Sequence, residues 1–306
     1  MTQQVAASVA LASPNPQSWD MSSSETIPLV NIGVSGWNYG NWRGKFYPEG
    51  LAKTRELEYM TTQFNTLEVN SSFYRLMSPN TWRKWGNEAP SAFQYSVKGW
   101  RQITHYSRLK DSDQHLATFL DSGPLQLEDK LGPFLWQLPP SLKFDAEVLD
   151  TFLGSLPRTF GEARAVAANA EPPPEGTRQP KTIYPNLEPA PADRVIRHVL
   201  EPRSEGFGSP EALAILREQG VALVHSDIAG RYPTFDENTT DLEYVRLHGS
   251  PRLYFSSYAD NVLQEWAARI KEWLAEGKRT YFYFDNTGAG AAPLNAQELV
   301  RLVGAR

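Results

Sequence analysis

Eight short apolar runs, each breaking off on charged or polar residues, constrain this chain more than any other feature. Ile32-Gly33-Val34-Ser35 stops near Trp37, and Thr66-Leu67-Glu68-Val69-Asn70 stops at two serines. The run from Phe93 stops at Lys98, and Phe134-Leu135-Trp136 stops at Gln137. His198-Val199-Leu200 stops at Glu201, and the run from Val221 stops at His225-Ser226-Asp227. The run from Tyr244 stops at His248-Gly249, and the run from Tyr281 stops at Asp285-Asn286. Continuous apolar runs of this length read as strands buried on both faces. Eight of them with polar C-terminal ends describe a parallel barrel whose functional rim is drawn from the strand ends.

Helical signals fall between these runs. Residues 53–64, 78–85, 113–120 and 145–156 carry helical spacing or N-terminal capping signals. Ser209-Pro210-Glu211 supplies an N-cap and a first-turn proline, and the helix it opens should stop before Gly220. Residues 261–276 place Val262, Trp266, Ile270, Trp273 and Leu274 on one face, and residues 294–303 close the chain. Two stretches break the alternation. Residues 157–195, with Glu171-Pro172-Pro173-Pro174-Glu175 and Pro180, Pro185, Pro189 and Pro191, exclude one continuous helix. They read as a flexible surface insertion between strands 4 and 5, or as a lid. Residues 228–241 show no helical pattern, so helix 6 is expected to be vestigial or missing. The expected architecture is α/β: a single TIM-type (β/α)8 barrel over residues 29–306, after a disordered tail at 1–28. That tail lacks the basic segment of a signal peptide, and a start at Met21 is the other reading of it.

At 306 residues the length suits one such barrel, and Lys plus Arg at 30 against Asp plus Glu at 35 give a net charge of −5. A mildly acidic chain is not built for bulk nucleic-acid binding. The absence of cysteine excludes disulfides and thiolate metal sites, and fits a reducing, cytoplasmic setting. No apolar run is long enough to span a bilayer. No protein partner is indicated.

Alternation along a strand groups residues by face. Thr66, Glu68 and Asn70 share one face, as do Gln94, Ser96 and Lys98; Val199 and Glu201; Leu223, His225 and Asp227; Tyr244, Arg246 and His248; and Tyr281, Tyr283 and Asp285. If these faces point inward, Glu68, Glu201, Asp227 and Asp285 meet Lys98, Arg246 and His248 at the top of the barrel. Carboxylates crowded with His and cations can divide into acid and base. An interior salt-bridge network without chemistry is the other reading of the same set.

Glu68 and Glu201 are the candidate acid and base, and His248 and Asp285 the candidate assisting groups. Asn70, Tyr74, Lys98, Arg101, His105, Gln137, Arg203, Asp227, Arg246 and Asn286 are candidate substrate-binding residues, and the cations suit a small anionic ligand. Trp37, Tyr39, Trp42, Phe73, Trp100 and Tyr254 are candidate aromatic walls, with plain core packing the simpler reading for most. No cofactor is predicted. A divalent metal held by His248, Glu68, Glu201, Asp227 and His225 is chemically possible, although no spacing is diagnostic. P-loop, His-Glu-x-x-His and Gly-x-Ser-x-Gly signatures are absent.

The strings Ile32-Gly-Val-Ser-Gly-Trp-Asn-Tyr39, Trp42-Arg-Gly-Lys-Phe-Tyr-Pro48 and Phe64-Asn-Thr-Leu-Glu-Val-Asn-Ser-Ser-Phe-Tyr-Arg75 resemble the domain-of-unknown-function 72 family, the YecE-like proteins. So do Ile103-Thr-His105, Leu131-Gly-Pro-Phe-Leu-Trp-Gln-Leu-Pro-Pro140, Tyr244-Val-Arg-Leu-His-Gly249 and Tyr283-Phe-Asp-Asn286. The resemblance runs from about Ile32 to Val303. It implies a TIM-type barrel and no settled activity. Where it implies Glu-x-Arg-His at the fifth strand, this chain reads Glu201-Pro202-Arg203-Ser204, so Glu201 and Arg203 remain implied site residues without a following His. Three functions stay open: acid/base hydrolysis or proton transfer on a small anionic, phosphorylated or sugar-like substrate; non-catalytic binding of a metabolite or nucleic-acid end; and metal-dependent phosphoester hydrolysis.

Overall fold

The computed structural model describes residues 28–172 and 182–304. The expected tail at 1–28 lies outside the described residues apart from its last position, as does the centre of the Pro-rich insertion.

All eight apolar runs are strands: β1 (Val30–Ser35), β2 (Thr66–Val69), β3 (Gln94–Lys98), β4 (Leu131–Gln137), β5 (His198–Glu201), β6 (Ala222–Asp227), β7 (Leu242–Leu247) and β8 (Arg279–Phe284). They pair in chain order, every pair parallel, and β8 closes onto β1. The helices are α1 (Glu56–Gln63), α2 (Ser71–Tyr74), α3 (Pro79–Glu88), α4 (Asp113–Asp121), α5 (Ala146–Ser155), α6 (Phe160–Ala167), α7 (Pro210–Glu218), α8 (Asp260–Ala275) and α9 (Ala291–Val303). Residues 228–241 contain no helix, as their pattern implied.

The helix starts follow from local chemistry. Ser78, Asp145, Thr159 and Ser209 each accept a hydrogen bond from the backbone N–H three residues on, satisfying a donor that the first turn leaves free. On α8 the buried face is Leu263, Ala267, Ile270 and Trp273; Leu274 is 40% exposed, which corrects its expected place on the apolar face. One residue in a 3.6-period helix turns the side chain by about 100°.

The buried apolar residues separate into two groups. The larger lies between sheet and helices and includes Ile32, Val34, Leu67, Val97, Trp136, Leu223, Val245 and Phe282. The smaller fills the barrel with Leu135, Val199, Ala222, Val224, Leu242, Tyr244, Tyr281 and Tyr283. Three large tyrosines fit because neighbouring strands offer small side chains. Gly33 on β1 is flanked by Thr66 and Tyr283, and a Cβ there would come within 2.1 Å of the Thr66 carbonyl oxygen. Across that gap the Tyr283 hydroxyl reaches Thr66 Oγ1 at 2.6 Å.

The 157–195 stretch opens with α6, whose Phe160 and Ala163 are buried. Arg194 donates to the carbonyls of Glu128, Asp129 and Leu131, and Asn80 on α3 bonds to Thr182 and Tyr184. The described parts are therefore fastened at the N-terminal end of β4 and along α3. Among the described residues no helix is long and apolar enough to cross a membrane.

Candidate functional site

The centre of the upper barrel is one guanidinium. Arg246 on β7 is fully buried. Its Nε and Nη2 donate to Glu68 on β2, Nη2 approaching Oε1 at 2.7 Å; Nη1 donates to Glu201 Oε2 on β5 at 2.6 Å, and Nη2 to Asp285 Oδ2 beyond β8 at 3.2 Å. Three carboxylates on one guanidinium are tolerable away from water because a planar five-donor fork can serve several acceptors at once. Burial opposes charge on Arg246, but Glu201, Glu68 and Asp285 outweigh it and hold the group firmly protonated. The reciprocal balance holds Glu201 and Asp285 ionised. Burial works against Glu201, yet Arg246, Arg203 and His248 bring it well below the usual carboxylate range. Asp285 is also lowered, burial being outweighed by Arg246 and His248.

Further donors fix this cluster from below. Ser35 Oγ donates to Glu68 Oε1 at 2.7 Å, and the Tyr244 hydroxyl donates to Glu68 Oε2 at 2.7 Å. Register makes this possible: Ser35 pairs with Glu68, and Glu68 with Ser96, whose hydroxyl also meets Tyr244 at 2.7 Å. His248 sits beside Arg246 with Nε2 3.0 Å from Glu201 Oε1. Its Nδ1 lies at ion-pair distance, 3.0 Å, from Asp285 Oδ2 without the direction of a hydrogen bond. Arg203 Nη2 donates to Glu201 Oε1 at 3.1 Å.

Above the cluster opens a cleft of about 430 Å³. Seven of the eight strand ends contribute to it: Tyr39; Asn70, Phe73 and Tyr74; Lys98, Arg101, His105 and Tyr106; Gln137; Arg203; Arg246 and Tyr254; Asp285 and Thr287. Short irregular elements aim several of these side chains. In α2, Ser72 donates to the Lys98 carbonyl at 2.7 Å and sets Phe73 beneath the Lys98 ammonium, 4.4 Å from the ring centroid. After β3 a π-helical turn (Gln102–Tyr106) carries His105 and Tyr106 to the rim. Tyr254 takes φ +64°, an unfavourable value for a bulky residue; its N–H is bonded to the His248 carbonyl and its own carbonyl to the Gly288 N–H.

The rim is electropositive. His105 is pushed down to about 4, first by burial and then by Lys98, Arg203 and Arg101. Lys98 is brought down to about 8, mainly by burial and then by Arg246, against the pull of Glu201, Asp285 and Glu68. Asn70 Oδ1 and Arg203 Nε, on two of the lining residues, are buried without partners. Unsatisfied polar atoms beside a cavity are groups a ligand or water can complete.

Of the candidates named from sequence, Asn70, Tyr74, Lys98, Arg101, His105, Gln137, Arg203, Arg246 and Asp285 line the cleft. Glu68, Glu201 and His248 lie beneath it, at or near zero exposure. Two candidates are corrected. Asp227 lies outside: its Oδ1 accepts from the Ala229 N–H at 3.0 Å, so it shapes the turn after β6. Its whole expected face is reversed, because Ala222 and Val224 point inward and Leu223 packs against the helices. The interior beside Tyr244 and Arg246 has room only for small side chains. His225 goes out with that face and stacks on Trp273 of α8. Asn286 is fully buried and donates to Ser256 and Asn295, bracing the loop after β7 instead of facing the cleft. Among the described residues no three His, Asp or Glu side chains are grouped to share a metal ion. The place where Glu68, Glu201 and Asp285 converge is filled by Arg246. Of the aromatic candidates, Tyr39, Phe73 and Tyr254 line the cleft, whereas Trp42 is core. Tyr106 and Thr287 carried no sequence signal, since neither belongs to a strand or a regular helix pattern.

A family model described as "Protein of unknown function DUF72" matches residues 31–306. The chain belongs to the DUF72 family. The UPF0759 protein YunF of Bacillus subtilis (strain 168) is 22% identical over 309 residues, covering 90% of this chain and 95% of that protein. The UPF0759 protein YecE of Escherichia coli (strain K12) is 26% identical over 133 residues, 43% of this chain and 46% of that protein. Among solved structures, a DUF72 family protein of Thermotoga maritima superposes with a TM-score of 0.69 at 24% identity, covering 90% of this chain and 99% of that one. One from Enterococcus faecalis V583 gives a TM-score of 0.67 at 15% identity, covering 90% and 96%. These likenesses support the barrel fold of the DUF72 chain.

Proposed function

We propose that the cleft is the active site of an enzyme acting on a small anionic substrate by proton transfer. The observation that carries this is the asymmetry of charge across the site. Glu68 and Glu201 are committed to Arg246 below, whereas Lys98, Arg101 and Arg203 face a cleft of about 430 Å³ above, which a single carboxylate, Asp285, also lines. A phosphate or carboxylate placed there meets cations already positioned, which lowers the cost of desolvating it.

Roles follow from exposure. Asp285 is the carboxylate that reaches the cleft, so it is the group to take or return a proton. His248 sits behind it. Glu68 and Glu201 are redefined by burial: their oxygens hold Arg246 and Arg203, which makes them positioning groups and not the acid–base pair expected from sequence. Tyr39, Phe73, Tyr74 and Tyr254 supply flat walls for the uncharged part of the substrate.

The test is thermal stabilisation by inorganic phosphate and a panel of small phosphorylated and carboxylated metabolites, each stabilising compound then followed for conversion. Stabilisation with product formation supports the reading. Stabilisation without product points to a binding protein, and no stabilisation by any anion removes the reading.

A further inference from the structure

Among the described residues, Lys98 and Arg101 are the cleft cations that meet aromatic faces and no counter-ion, and of the two Lys98 is the buried one. It is 8% exposed, lines the cavity, and among the described residues makes no ion pair and no hydrogen bond through its ammonium. Its contact is the face of Phe73. A lysine meant only to grip an anion is better left partly hydrated, as Arg101 is. One that is desolvated beside another cation is the arrangement that makes an amine nucleophilic. Around it stand Arg246, Glu201, Glu68, Asp285 and, toward the rim, His105.

Resting on the anion-site reading above, we propose that Lys98 is a nucleophile that forms a Schiff base with a small aldehyde or ketone carrying a phosphate or carboxylate. Nζ attacks the carbonyl carbon, an N–C bond forms, and the carbonyl π pair moves to oxygen. The ionised Asp285 carries one proton from nitrogen to that oxygen, giving a neutral carbinolamine. The nitrogen lone pair then expels the hydroxyl as hydroxide, which takes the remaining nitrogen proton by way of Asp285 and leaves as water, and a neutral imine remains. Arg101 and Arg203 hold the anionic end, and Gln137 and Asn70 border the chain between.

The same burial and the neighbouring Arg246 loosen the proton on Lys98. With Lys98 brought down to about 8, its neutral fraction at pH 7 is roughly two- to three-hundredfold that of an ordinary lysine.

The experiment uses the full chain, glyceraldehyde 3-phosphate as probe and cyanoborohydride, which adds hydride to an imine and leaves a stable secondary amine. Peptide mass mapping then ranks the lysines. Expected is labelling of Lys98 more than about tenfold faster than of exposed lysines, rising with a midpoint near pH 8 and suppressed by inorganic phosphate. Lys98→Arg should lose the label. Labelling spread evenly over surface lysines, or Lys98 left unmodified, overturns the proposal. If phosphate still stabilises the protein in that case, the anion site survives without its nucleophile; if it does not, both fall. The wild-type map decides the matter even should the variant fail to fold.

Discussion

His248 and His225 stand near the C-terminal ends of neighbouring strands, both buried and both against a glutamate, and they belong to different kinds of place. His225 faces outward. Its Nε2 lies 2.8 Å from Glu243 Oε2, its ring stacks on Trp273 with centroids 5.3 Å apart, and Lys278 closes the other Glu243 oxygen at 2.9 Å. Charge is settled locally, and helix α8 covers the result. His248 faces inward. Its glutamate is shared with Arg246 and Arg203, and the network it joins lies directly beneath an open, cation-rimmed cleft. A His–Glu pair is thus no sign of a site by itself. What separates the two is the open volume above the inner one.

That contrast can be broken most forcefully at Arg246. Arg246→Met leaves three buried carboxylates facing one another, and should cost about 3–5 kcal/mol in urea unfolding while abolishing the phosphate response. A variant of near wild-type stability would mean the inner network is not held by this guanidinium. On the outer side, Glu243→Gln should cost about 1.5–3 kcal/mol and leave phosphate binding untouched. A lost phosphate response there would erase the distinction between the two regions.

A third buried histidine gives the outer shell a pH signature. His198 Nδ1 accepts from Trp136 Nε1, so the proton sits on Nε2 toward the Pro157 carbonyl, and burial pushes the imidazole down to about 3. The unfolded chain takes up that proton near 6.5 and the folded chain does not. Stability is therefore full above that value and falls as pH drops from 6.5 toward 3, by up to about 1.4 kcal/mol per unit. Urea midpoints between pH 6.5 and 5.5, above the carboxylate range, check it, with a His105→Gln background removing the parallel contribution of that lowered ring; a flat profile would contradict the neutral, buried ring. The smallest effect belongs to the rim. Arg101→Gln should weaken phosphate binding by roughly 0.2–1 kcal/mol, up to about fivefold, at unchanged melting temperature.

The barrel was legible because parallel strands covered on both faces must be apolar, and their polar terminations mark where the sheet meets solvent. The strand ends carrying Glu68, Lys98, Glu201, Arg246, His248 and Asp285 were legible for the same reason. Strand β6 was not. Ala222-Val224-Ser226 and Leu223-His225-Asp227 alternate equally well, and only the bulk of Tyr244 and Arg246 from β7 selects the small set for the interior. The single turn α2, the π-helical turn and α6 escaped because each is too short, or too near proline, to show a period.

Sequence by itself settled the number, order and polarity of the strands, since hydrophobic burial acts on runs of neighbouring residues. Tertiary structure decided which carboxylates are spent and which buried cation lacks a counter-ion. Glu68 and Arg246 are 178 residues apart yet hydrogen-bonded at 2.7 Å, and Lys98 ends buried against an aromatic face in place of a counter-ion. Those outcomes depend on register around a closed barrel, and closure is a property of all eight strands together.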